Sequence, residues 1–172
     1  MYAPVEEKNP EQRAFTMALY IIAAFGAIVQ YTESLSMNIA GFIILAIAGF
    51  MLKAQRLTAR DTIYASHVEW MARTISIGSY FLFPVAIAAI LYFVYTLTDI
   101  VSLKKTFAAS GGQDLNAMLS LTKTYIANNG EKINRIINLS ITPPIFWWVN
   151  RCWYGFKRAA KSEPIDYPES FI

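Results

Sequence analysis

Apolar residues fall in four long runs along the chain, at residues 14–31, 37–52, 74–98 and 139–156, and polar residues gather between them. From Ala14 to Val29 the only polar side chains are Thr16 and Tyr20, and from Ile39 to Leu52 there is no charge. About 20 mainly apolar residues suffice to cross ~30 Å of hydrocarbon, and a charge at mid-bilayer costs about 2.5–3.5 kcal/mol on insertion scales. Runs of this kind are apolar on every side, unlike the striped helices of a soluble core. They predict an all-α protein, a polytopic four-helix membrane bundle occupying residues 14–156.

The connections supply orientation. Residues 1–13 form a polar tail with acids ahead of bases, which is not the pattern of a cleaved signal, so the first helix is expected to remain. Tyr31 to Ser36 hold one acid, Glu33, and no base, whereas the next connection carries Lys53, Arg56, Arg60 and Arg73. Arg151, Lys157, Arg158 and Lys161 gather at the other end. By the positive-inside rule both termini, including the tail 157–172, face the cytoplasm.

The connection 99–137 then lies outside, with Lys104, Lys105, Lys123, Lys132 and Arg135. Ser110-Gly111-Gly112 is a break signal; Leu115, Met118, Leu119, Thr122, Tyr125 and Ile126 recur at helical spacing until Asn128-Asn129-Gly130, and Ile133, Ile136 and Ile137 restart the pattern. This predicts an amphipathic helical hairpin inserted between helices 3 and 4, resting on the membrane, on its own bundle or on a partner. In the fourth span Pro143-Pro144 predicts an interruption and bend. Trp147, Trp148, Trp153 and Tyr154 behind it read as an aromatic belt or as a lipid or quinone headgroup site, with Arg151 snorkelling to the interface. Gly26, Ala40, Gly41, Ala46, Ala48 and Gly49 allow close helix approach.

Composition narrows the chemistry. The chain is 55% hydrophobic, 16% charged and 15% aromatic with a net charge of +3, and its mean hydropathy is +0.35. Nothing in it forms a nucleic-acid footprint. The single cysteine, Cys152, excludes an internal disulfide framework and a cysteine-based zinc site, and is expected to be buried and inert. The densest polar segment, before the third span, supplies the candidates His67, Glu69 and Arg73. Glu69 precedes Arg73 by four residues, the order that favours a helical ion pair, and in a helix Arg60 and Tyr64 would share a face with His67. His67 is the one histidine, either a structural hydrogen-bonding group or a proton-responsive one. No phosphate loop, nucleophile elbow or metal spacing occurs, so no catalytic residue, metal or cofactor is predicted. Asp99 and Glu33 sit at span ends, and the near absence of charges within spans argues against an active transporter. Tyr20 and Gln30 are the weak candidates for lining a pore.

Ser66-His67, Arg73-Thr74, Trp148, Arg151, Gly155 and Pro164-Ile165 together resemble a bacterial family of small four-helix inner-membrane proteins, distantly similar to the twenty-kilodalton translocon component of the chloroplast inner envelope. The resemblance covers roughly residues 14–166 and departs at Ile75-Ser76, where an aromatic pair is expected, and at the inserted outer segment. It implies a compact bundle with both termini inside and no established activity. The expected function is a non-enzymatic accessory or scaffold subunit of a membrane assembly, contacting lipid and other subunits through its outer hairpin and through Pro143, Pro144, Trp147, Trp148 and Arg151. Alternatives are a homo-oligomeric channel or translocation component, and a membrane immunity protein.

Overall fold

The computed structural model describes residues 10–30, 35–60, 62–109 and 115–168, and these are helical throughout apart from turns and the last segment after residue 160. Helix α1 spans Pro10–Val29 and α2 Leu35–Thr58. Proline suits the first turn, where its missing donor is not needed, and Glu11 complements the helix dipole there. Side chains pair in reverse order along the two helices. Gln12 Nε2 donates to the Thr58 carbonyl at 3.0 Å, Gln55 Nε2 donates to Thr16 Oγ1, and a Cβ on Gly41 would lie 3.0 Å from the Gly26 carbonyl. The two helices are therefore antiparallel, and two glycines let their backbones touch. Thr16 returns its own hydroxyl proton to the Gln12 carbonyl at 2.8 Å, which satisfies a hydroxyl inside an apolar helix.

Helix α2 runs past the predicted end at residue 52 because Lys53 to Thr58 keep helical geometry while Gln55 stays buried. The chain turns at Ala59 to Ile63, where Thr62 Oγ1 bonds the Ala59 carbonyl and accepts from the Tyr64 N–H. Ala59, Tyr64 and Val68 close a small core over this turn, with Leu52 and Ile63 packed against it. Helix α3, Tyr64–Ile77, continues through a π-helical segment, Gly78–Leu82, into α4, Phe83–Leu97. Arg60 thus lies in the turn rather than on the helix with His67.

Helix α5 spans Ile100–Ala109, and α6 runs unbroken from Leu115 to Ala160. Two expectations are corrected here. Asn128-Asn129-Gly130 does not end a helix: α6 runs through all three, and the Asn129 side-chain Nδ2 donates to the Tyr125 carbonyl one turn back at 3.2 Å. Pro143-Pro144 does not interrupt the fourth segment either. Two prolines remove the donors for the carbonyls at Leu139 and Ser140, yet the helix continues on both sides. The predicted break at Ser110-Gly111-Gly112, the tail 1–9 and Glu33 lie outside the described residues.

The chain forms two compact units that divide at the end of the π-helical segment and between Pro143 and Pro144. One unit holds α1 to α3, the π-helical segment, and α6 from Pro144 with the segment after it. The other holds α4, α5 and the first part of α6. In the latter, Lys132 Nζ donates to the Leu97 carbonyl at 3.0 Å, capping the end of α4, and the hydroxyls of Thr98 and Tyr125 bond at 2.6 Å.

Among the described residues three helical runs are long and apolar enough to cross a bilayer, Pro10–Val29, Ile39–Thr58 and Tyr64–Leu97. Their large apolar side chains face outward; Phe50 is 75% exposed and Leu91 66%. Leaving these groups in water would cost about 25 cal/mol for each Å² of apolar area, so these faces suit lipid rather than water. The run 139–156, predicted as a fourth span, lies in α6, which is not among the three.

Candidate functional site

Polar side chains inside apolar helices carry the strongest constraint on this fold, since each needs a partner where water is scarce. Several of them meet in the first unit. Helix α3 buries Ser66, His67, Trp70 and Thr74; α1 brings Tyr20; α6 brings Trp148, Arg151 and Gly155; and the segment after α6 brings Glu163 and Ile165.

His67 is 1% exposed, and both ring nitrogens are engaged. Nε2 lies 2.9 Å from the Glu163 carbonyl oxygen, and Nδ1 lies 3.0 Å from the Tyr20 hydroxyl. A carbonyl only accepts, so the proton is on Nε2, and Nδ1 accepts the tyrosine O–H. The network therefore selects one neutral tautomer. Next to it, the Ile165 N–H donates to Ser66 Oγ at 2.9 Å, which in turn donates to the Ile63 carbonyl at 2.8 Å. Two consecutive residues of α3 thus hold the final segment by its backbone, and Ile165 is buried beneath it. Arg158 fastens the same segment from α6 through ion pairs with Glu163 and Asp166. The Tyr154 hydroxyl and then Asp166 raise the pKa of this guanidinium further above its already high value.

Arg151 occupies the other half of the cluster. It is 2% exposed, its guanidinium carbon sits 3.5 Å above the Trp70 ring centroid and 5.1 Å from that of Trp147, and its Nε donates to Thr74 Oγ1 at 2.9 Å. Trp70 Nε1 donates back to the Arg151 carbonyl at 3.1 Å. The expectation of a snorkelling arginine is corrected: aromatic faces and a hydroxyl give the cation an internal site. The aromatic belt is corrected in part as well. Trp148 is 1% exposed and packs where Gly78 leaves no side chain, whereas Trp153 is 56% exposed and alone of the three α6 tryptophans keeps an outward position. Two turns on from Trp148, Gly155 leaves the same kind of gap for the Tyr20 ring.

The structure therefore places His67, Trp147, Trp148 and Arg151 in the first unit, Arg151 against Trp147 and His67 against Tyr20 and Glu163. Glu69 and Arg73 lie on the exposed face of α3 and form no ion pair with each other. Accordingly, Arg73→Ala should accumulate in membranes at the wild-type level by quantitative immunoblot, with stability changed by less than about 0.5 kcal/mol; a strong loss would show that Arg73 serves a contact outside this chain. Trp70 and Glu163 were not expected in the cluster. Glu163 contributes a carbonyl, which no side-chain pattern encodes, and Trp70 stood in the polar segment as one more aromatic residue.

A cleft of about 330 Å³ opens beside the cluster, lined among others by Trp70, Arg151, Trp153, Tyr154, Lys157 and Tyr167. A shallower groove of about 120 Å³, lined by Ile21, Ala24, Val149, Cys152 and Phe156, shares Trp153 with it. Among the described residues no three His, Cys, Asp or Glu side chains come together as metal ligands. Compared with known proteins, the chain matches no family model, no curated protein and no solved structure.

Proposed function

We propose that the chain is a non-catalytic subunit of a bacterial inner-membrane assembly, crossing the bilayer four times with both termini in the cytoplasm and docking its partner through the segment 99–137. The observation that carries this reading is an outward apolar stripe on the early part of α6. Leu115, Leu119 and Ile126 are 69%, 51% and 55% exposed, and their spacing of four and seven residues sets them on one helix face. This stretch is too polar to be a span, and Lys104, Lys105, Lys123 and Lys132 accompany it. A partner helix with apolar residues and acidic flanks complements such a surface. The buried cluster supports the same reading, because its hydrogen bonds are spent on clasping α1, α3, α6 and the final segment, a holding role.

Extraction of tagged protein in mild detergent, followed by lysine crosslinking and mass spectrometry, tests the proposal. The expected result is a fixed-stoichiometry partner joined through Lys104, Lys105, Lys123 or Lys132. Recovery of the free monomer would overturn it, and self-crosslinks would favour a homo-oligomeric channel or translocation component. That alternative draws less support from the small residues of α2 than the sequence promised, since Gly41 is used against Gly26 within the chain.

A further inference from the structure

The cleft beside Arg151 is built unlike a gap between packed helices. Among the described residues its lining carries two cations, Arg151 and Lys157, and no carboxylate. Arg151 is held in place by the Trp70 ring and Thr74, as described above, so the positive charge there is fixed rather than carried on a mobile stem. Lys157 is exposed and makes no ion pair among the described residues; its Nζ lies 5.8 Å from the Trp153 ring centroid. Asn150 and the 78%-exposed Tyr167 add hydrogen-bond donors at the edge. This is the donor chemistry of an anion site.

Its place in the chain says which anion. The cleft is formed where α6 changes from an apolar stretch to the basic run Lys157, Arg158 and Lys161, the composition found where a helix leaves hydrocarbon for a headgroup layer. Trp153 and Tyr154, rings with an apolar body and a polar tip, stand at the same level. The adjoining groove is almost wholly apolar, and Trp153, stacked on Phe156 at 5.7 Å, forms a wall common to both. One ligand therefore meets a cationic polar recess and an apolar channel side by side. We propose that the cleft binds the headgroup phosphate of an anionic phospholipid, with an acyl chain of the same molecule lying in the groove of Ile21, Ala24, Val149 and Phe156. The lipid is a structural ligand that covers the seam between α1 and α6.

Native mass spectrometry of the full chain, purified in neutral detergent and supplied with phosphatidylglycerol or phosphatidylcholine, tests this. The expected result is preferential retention of phosphatidylglycerol, reduced about five- to tenfold by Lys157→Gln. Lys53→Gln removes the same charge from the exposed end of α2 and should leave retention unchanged. Excess inorganic phosphate should not displace the lipid, because the groove holds its chain. Equal retention of both lipids would overturn the proposal, as would an equal loss in Lys53→Gln, which would mean general charge attraction. Displacement by phosphate would make the cleft a free-anion site and overturn the lipid assignment.

Discussion

Gly155→Ala should unfasten α1 from α6, although it adds a single methyl group. The new Cβ would fall inside van der Waals contact of the Tyr20 ring and hydroxyl, and Tyr20 is 1% exposed with its hydroxyl bonded to His67 Nδ1. Moving the ring also withdraws the hydroxyl from His67 Nδ1. Overpacking a core by a methyl or two costs about 1–3 kcal/mol, and losing a buried hydrogen bond adds about 1 kcal/mol. The variant should lose its monodisperse detergent peak at a lower temperature than wild type. Gly155→Ala combined with Tyr20→Phe should remain impaired, since the clash is with the ring as much as with the hydroxyl. A wild-type melting profile for Gly155→Ala would mean that Tyr20 does not fill this gap.

Arg151→Lys should be nearly as damaging as Arg151→Ala, because the site is shaped for a plane. Lysine keeps the charge but cannot lie flat at 3.5 Å on Trp70 while donating sideways to Thr74. Stacking in a desolvated setting contributes about 2 kcal/mol, and a hydrogen bond to a charged group about 1.5–3 kcal/mol, so the loss should be on the order of 2–4 kcal/mol. Arg151→Met separates shape from charge, because apolar replacement of a buried ion can restore much of the stability. If the lysine variant melts like wild type in detergent, charge alone is what the site requires.

The three apolar helical runs are legible from residues because a charge-free stretch of such length has one stable environment. Their ends are less so. Helix α2 continues six residues past its apolar run, since Lys53 to Thr58 are compatible with a helix and only the burial of Gln55 shows which face turns inward. Prolines 143 and 144 read as a break because each removes a donor, but α6 stays helical on both sides of them where the remaining bonds suffice. The cluster was half visible. Thr16 and Tyr20 stand out as the lone polar side chains of the first run, and His67 and Arg151 as isolated ionisable groups near others. Their partners lie far along the chain, 47 residues away for Tyr20 and His67 and 96 for His67 and Glu163, and no local period encodes such pairings. The same distance explains Trp148: whether it joins a belt or a core depends on Gly78, which leaves its place empty from another helix.

Cys152 lies at the centre of this packing, 1% exposed between the Tyr20 and Trp148 sides of α6, and it is the only sulfhydryl in the chain. Maleimides meet no accessible thiolate while the fold is closed. The molecule is thus silent to such reagents in its natural form, and a cysteine introduced into either terminal tail or into the 99–137 segment would be the sole label acceptor. Sidedness in intact cells can be mapped one position at a time without first altering the protein's interior, and the same buried atom becomes a timer for its opening when the bundle is heated.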